Sequence, residues 1–166
     1  MKNIFKLTIL WLLMYSSVNG QTKNIGPKIN TIDHEVRPIV TNDKLFFVRE
    51  PARIGKKNNR QEIWMSERDT TGEWGQSVKL PDIVNRQRYN GVYWASEDGN
   101  TILMRGIYDE NTNETYRGFS TSKFVDGQWT KPVPVIVKDY NLLSRGIYTG
   151  ATMSTDRKST RLNSSH

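Results

Sequence analysis

Residues 62–81 read EIWMSERDTTGEWGQSVKLP, and the corner Gly72-Glu73-Trp74 inside this stretch returns further on as Gly127-Gln128-Trp129. The implied period is about 55 residues, and self-similarity at a fixed period marks stacked supersecondary units, none of which can bury its apolar face alone. Working outward, Trp64 stands ten residues before the first tryptophan and Phe119 ten before the second. Upstream, Leu45-Phe46-Phe47-Val48 answers to Ile102-Leu103-Met104, each after a polar turn. The segment around Ser96-Glu97-Asp98-Gly99 begins again at Met153-Ser154-Thr155. Two units and the start of a third are therefore predicted. Arg105-Gly106-Ile107-Tyr108 also recurs, as Arg145-Gly146-Ile147-Tyr148, but at a shorter spacing that is out of phase with the rest. The second copy is assigned to a different strand and given no functional weight.

Within a unit the signals are β. Residues 91–96 (GVYWAS) form a short aromatic-rich run, and Glu97-Asp98-Gly99-Asn100 a tight hairpin turn, since Asp and Gly tolerate positive φ. Residues 101–107 (TILMRGI) are nearly all apolar, as in a strand covered on both faces. After the polar loop 109–115 comes a third strand, 116–124, which Asp126-Gly127 turns into a fourth, 129–137. That fourth strand carries Pro132 and Pro134, which cannot donate a ladder hydrogen bond, so it is predicted at a sheet edge. Leu80-Pro81 ends its counterpart in the first unit. Four short antiparallel strands with the last at an edge, repeated in sequence, predict an all-β fold. Its form is an incomplete β-propeller, with two four-stranded antiparallel blades plus the start of a third. The tryptophans supply apolar area where neighbouring sheets meet.

The two ends are read apart from this fold. Residues 1–20 have Lys2 and Lys6, a short apolar core (7–15, LTILWLLMY), and the small residues Val18 and Gly20 ahead of Gln21. This is a secretory signal pattern, about half as long as a membrane-spanning helix. The mature chain is thus expected to be exported, in the periplasm, outer-membrane associated or secreted, with no transmembrane span. Residues 156–166 (DRKSTRLNSSH) correspond codon by codon to a common sequencing adapter and are expected to be disordered. The boundaries are 21–32 as a spacer, 33–81 and 89–137 as blades, and 146–155 as the beginning of the next. The whole chain carries a net charge of +7, but residues 21–155 hold 19 basic and 16 acidic side chains, a net of +3. Nucleic-acid binding loses its electrostatic basis. The local cluster Arg53, Lys56, Lys57 and Arg60 reads as a solvated loop. There is no cysteine, hence no disulfide framework and no thiolate metal site.

The run EIWMSERDTTGEWGQSVKLP, followed by YNGVYWASEDGNTILM at 89–104, resembles the TolB-like (WD-like) β-propeller repeats of bacterial envelope proteins. The residues that carry the resemblance are Ser66, Gly72, Trp74, Leu80, Pro81, Ser96, Asp98 and Gly99, over roughly residues 33–155. The first unit departs from it, with Thr41-Asn42-Asp43-Lys44 in place of Ser-x-Asp-Gly. The resemblance implies a propeller that binds a protein, peptide or glycan partner in the envelope. In full-length relatives of this style such a propeller is often joined to an OmpA-like peptidoglycan-binding domain. The alternative is part of a propeller hydrolase, either a sialidase-like glycosidase or a prolyl-oligopeptidase-like peptidase.

Little in the sequence supports an enzyme. Ser96-Glu97-Asp98-Gly99 resembles the sialidase Asp-box, itself a structural turn. A glycosidase needs two carboxylates across a sugar; Glu35, Glu50, Glu62, Asp109, Glu110 and Glu114 are available, and all read as solvated acids. Arginines that grip a carboxylate offer a fixed bidentate fork. Arg49 and Arg105, which follow FFV and ILM at the ends of the paired strands, are the candidate binding residues. The plain reading of each is a strand-end arginine reaching water. His34 lies just before the first strand, and no nucleophile elbow, phosphate loop or zinc motif is present. No catalytic residue, metal or cofactor is expected. Tyr89, Tyr93, Trp94 and Tyr108 read first as packing residues and second as a carbohydrate rim.

Overall fold

The runs rich in β-branched and aromatic residues form strands, and the Gly/Asp pairs between them form turns, giving an all-β chain of antiparallel sheets. The computed structural model describes residues 24–52, 60–108, 115–143, 148–154 and 160–165. The signal-like segment 1–20 lies outside the described residues. In the first unit β1 (His34–Val40), β2 (Lys44–Glu50), β3 (Glu62–Glu67) and β4 (Val78–Lys79) pair in sequence order, each antiparallel to the next. His34 is thus the first residue of β1 rather than a residue ahead of it. In the second unit β5 (Val92–Ala95), β6 (Thr101–Tyr108) and β7 (Thr115–Val125) follow the same order, and β8 (Gln128–Trp129) and β9 (Val133–Val135) both pair with β7. The single fourth strand expected over 129–137 is therefore two short pieces. Pro134 sits opposite Ser120 at the sheet edge, where its missing N–H breaks no further ladder.

The repeat is visible in register as well as in sequence. Leu45 pairs with Ser66 in the first sheet and Ile102 with Ser122 in the second. Ser66 Oγ donates to Gly75 O at 2.8 Å, one residue past Trp74; Ser122 Oγ donates to Thr130 O at 2.6 Å, one residue past Trp129. The backbone bonds beside them also match: Gly75 N to Glu67 O, and Thr130 N to Lys123 O. Gly72 and Gly127 both hold the positive φ (84° and 78°) that turns the chain into the corner.

A lead-in turn extends the unit towards the N-terminus. Ile29 N and Asn30 N donate to Gly26 O, and one repeat later Val84 N and Asn85 N donate to Pro81 O. Residues 24–31, expected as a spacer, thus carry the first copy of this turn, and the unit runs from 26 to 80 and from 81 to 135.

The sheets pack face to face. Phe46 and Ile63 of the first meet Val92, Ile102 and Met104 of the second, with Leu80, Val84, Tyr108 and Trp129 filling the same layer. Each fully buried apolar side chain of this kind contributes about 1.5–3 kcal/mol. Strands β1 and β5 lie alongside each other. The opposite face of the first sheet carries a smaller cluster of Ile29, Leu45 and Phe47, with Trp64 and Trp74 packed against it.

After the four-residue helix α1 (Tyr140–Leu143), β10 (Tyr148–Met153) runs alongside β5, as β5 does alongside β1. Tyr148 is the first residue of β10 while Tyr108 ends β6, and Arg145, Gly146 and Ile147 of the repeated tetrapeptide lie outside the described residues. Thr160–Ser165, expected to be without structure, forms β11 and pairs antiparallel with β10. A strand edge with unpaired N–H and C=O groups takes an extended segment within reach.

Candidate functional site

Sequence spacing puts Arg49 and Arg105 at equivalent strand ends, but register does not. Val48 pairs with Ile63 and Arg105 with Phe119, so Arg105 matches Val48 and Arg49 matches Gly106. The same comparison aligns Trp64 with Ser120 rather than with Phe119. Neighbouring positions on a strand point to opposite faces, and the two arginines are not brought together.

Arg49 is locked inside the first unit. It is 8% exposed and its guanidinium lies 4.0 Å over the Trp64 ring. Its Nε donates to Glu35 Oε1 at 3.0 Å, and its Nη2 to Ile29 O and Ser77 Oγ. All of these groups belong to the first unit, and they hold the lead-in turn on the first sheet.

Arg105 is exposed on β6, and its Cβ and Arg37 Nη1 both lie beside Gly91. Arg37 sits in a β-bulge of β1, where the register shifts between Val36 and Ile39, and its φ is 56°. A non-glycine residue in this region stores about 1–3 kcal/mol of strain. The bulge aims the side chain across to β5. There the guanidinium stands 5.4 Å over the Tyr93 ring, with Nη1 donating to the Tyr93 hydroxyl at 3.4 Å. Gly91 lies between the two arginines: a Cβ there would be 3.3 Å from Arg37 Nη1 and 3.7 Å from Arg105 Cβ. Arg105 N donates to Gly91 O, and Gln87 Nε2 to Arg105 O at 3.0 Å, which fixes this backbone. Among the described residues neither Arg37 nor Arg105 makes an ion pair.

The remaining candidates are engaged elsewhere. Glu35 is held by Arg49 and by the Thr31 hydroxyl, Glu50 accepts from Gln61, and Glu62 pairs with Arg60 and Lys79. Asp109, Glu110 and Glu114 lie outside the described residues, as do Arg53, Lys56 and Lys57; Arg60 also donates to Asn85 O. His34 is exposed. Tyr89 is exposed beneath Arg88. Trp94 is half-buried. Tyr108 is buried and donates to Val84 O at 2.7 Å, and burial pushes its hydroxyl up to about 12. Ser96, Asp98 and Thr101 close a turn on themselves: Ser96 Oγ donates to Asp98 Oδ1, and Thr101 N to Ser96 Oγ at 2.9 Å. Lys44 Nζ of the first unit donates to Asn100 Oδ1 at 2.8 Å, so this turn clasps the two hairpins. Asp69 accepts from the Thr71 hydroxyl, which holds its carboxyl below the ordinary range.

Sequence reasoning missed Arg37, Asn85 and Asn90. Asn85 is fully buried; it accepts from Ile63 N and donates to the carbonyls of Ile63 and Leu80. Asn90 Nδ2 donates to Gln61 O and Gln87 O. These amides stitch the segment between the sheets onto β3. The signal for Asn85 was its match to Asn30 at the repeat distance.

Among the described residues no group of three or more His, Asp or Glu side chains could hold a metal ion, and no helix is long and apolar enough to cross a membrane. No protein-family model matches the chain, and neither a curated protein nor a solved structure matches it.

Proposed function

We propose that the two units are consecutive blades of a TolB-like β-propeller, exported to the bacterial envelope, and that it acts by binding a protein, peptide or glycan partner rather than by catalysis. The observation that supports this most directly is the shared register. Both sheets carry the serine-to-corner hydrogen bond and the lead-in turn, and they stack face to face with β1 beside β5. Repetition of one sheet with a constant relative placement generates a ring, and propellers close with about 4–8 such sheets. A binding role is favoured because the candidate carboxylates Glu35, Glu50 and Glu62 are tied into structural ion pairs and hydrogen bonds.

The test is the structure of the protein encoded by the sequence contiguous with Thr155. Further four-stranded sheets at the same repeat distance, arranged around an axis, are expected. Continuation without a Gly-x-Trp corner would overturn the ring. Export is tested by expressing the chain in a Gram-negative host and sequencing the N-terminus of the periplasmic product. Gln21 is expected first, and retention of an uncleaved product in the cytoplasm argues against it.

A further inference from the structure

We infer that Asn90, followed by Gly91, is a spontaneous deamidation site that the folded chain holds shut, so that conversion of its amide to a carboxylate records opening of the segment joining the two sheets. This goes beyond the binding reading above and does not depend on ring closure.

The dipeptide supplies the chemistry. Gly91 has no Cβ, so its backbone nitrogen can approach the side-chain carbonyl of the residue before it. Attack of the Gly91 nitrogen on Asn90 Cγ forms an N–C bond and closes a five-membered imide. The Cγ–Nδ2 bond breaks, and the proton from the Gly91 nitrogen leaves with the amide group as ammonia. Water then adds to either imide carbonyl and opens the ring, giving aspartate or isoaspartate. The net change is gain of a water molecule and loss of an ammonia molecule. The sequence holds one other such pair, Asn19-Gly20, which lies outside the described residues.

The fold opposes the first step. Asn90 is 1% exposed, and Gly91 is buried as well. Asn90 Nδ2 donates to Gln61 O at 2.8 Å and to Gln87 O at 2.7 Å, while Oδ1 accepts from Gln87 N at 3.0 Å. The backbone on either side is tied too: Asn90 N donates to Gln61 O, and Arg105 N to Gly91 O. To bring Cγ onto the Gly91 nitrogen, the side chain must give up its three bonds in a place where water does not replace them. The rate in the folded chain is therefore the rate in the opened segment multiplied by the opened fraction.

The product does not fit back into the same place. An ionised carboxylate only accepts hydrogen bonds, and here it would face the carbonyl oxygens of Gln61 and Gln87. Isoaspartate adds a carbon to the main chain two residues before β5 begins. Either product weakens the hold of this segment on β3, so that an opening once recorded is harder to reverse.

The experiment holds the full chain at mildly alkaline pH in native buffer and in urea, beside a synthetic peptide of residues 86–94 (RQRYNGVYW), and follows Asn90 by mass spectrometry of tryptic fragments. The peptide and the urea-unfolded chain are expected to deamidate at the same rate within twofold, and the native chain at least a hundredfold more slowly. That slowing should match, within threefold, the protection of the Asn90 N–H from hydrogen exchange, because the same opening frees it from Gln61 O. Asn90→Asp installs the product directly and is expected to lower the melting temperature. Equal rates in native buffer and in urea, with circular dichroism showing the chain folded in the former, overturn the protection. No deamidation in the peptide overturns the site, and slowing that departs from the exchange protection overturns segment opening as the controlling step. An unlowered melting temperature in Asn90→Asp overturns the one-way consequence. None of these outcomes bears on the propeller reading, which the contiguous sequence tests separately.

Discussion

Trp129 of the second unit meets Phe46 of the first edge-on, with 6.0 Å between ring centroids and an interplanar angle of 81°. The indole thereby belongs to the core between the sheets, while its repeat partner Trp74 packs on the opposite face of the first sheet and stays half-buried. Deleting a large core aromatic costs about 3–5 kcal/mol. Trp129→Ala is expected to fall in that range and Trp74→Ala at roughly half of it, both measured by urea unfolding. Equal costs would mean that the two faces are packed alike.

The asparagines of the lead-in turns offer a second comparison between units. Asn85 satisfies both backbone groups of Ile63 and the carbonyl of Leu80, all in the interior, whereas Asn30 Nδ2 reaches the exposed Asn24. Leaving buried backbone groups without partners costs about 1–3 kcal/mol each. Asn85→Ala should therefore lower stability by about 3 kcal/mol and Asn30→Ala by less than about 1 kcal/mol. Hydrogen exchange at the Ile63 amide should speed up in the first variant only.

Much of this arrangement is legible in the chain because its signals are local. Gly72 and Gly127 sit at the corners where turn chemistry demands positive φ, and Pro132 and Pro134 announce an edge. Spacing is the weaker guide. Matched residues are 57 apart on the second strands, 56 on the third and 55 at the corner, because the turns and the bulge between Arg105 and Ile107 differ in length from unit to unit. A single assumed period therefore slips by one or two residues, and a slip of one flips a side chain to the other face. Such a slip sets Trp64 against Phe119 and Arg49 against Arg105. Arg37 is not legible at all, since its direction depends on a bulge that no local residue pattern marks.

The clasp between hairpins rests on Gly99. Its φ is 65°, and a Cβ there would come within 2.6 Å of Lys44 Cδ and 3.2 Å of Thr41 Oγ1. Gly99→Ala must therefore strain its own backbone and push Lys44 away from Asn100. Left-handed strain and the displaced contact together are expected to cost about 1–3 kcal/mol. Retention of wild-type stability would show that the hairpins separate freely.

Tyr108 gives the fold a dependence on alkaline pH. Its hydroxyl donates to Val84 O, and burial raises its pKa to about 12 against 10.0 in the unfolded chain. The unfolded state therefore loses this proton first as pH rises. Stability from this group is complete below about pH 10 and is lost progressively between about pH 10 and 12. The loss is on the order of 2–3 kcal/mol, since each tenfold change in proton affinity is worth about 1.4 kcal/mol. Tyr108→Phe is expected to cost about 1–2 kcal/mol at neutral pH, because the Val84 carbonyl loses its donor. It should also flatten the decline over the alkaline window relative to wild type. If urea midpoints of the two chains fall in parallel there, the alkaline loss comes from other groups and the Tyr108 hydroxyl is not held neutral by the core.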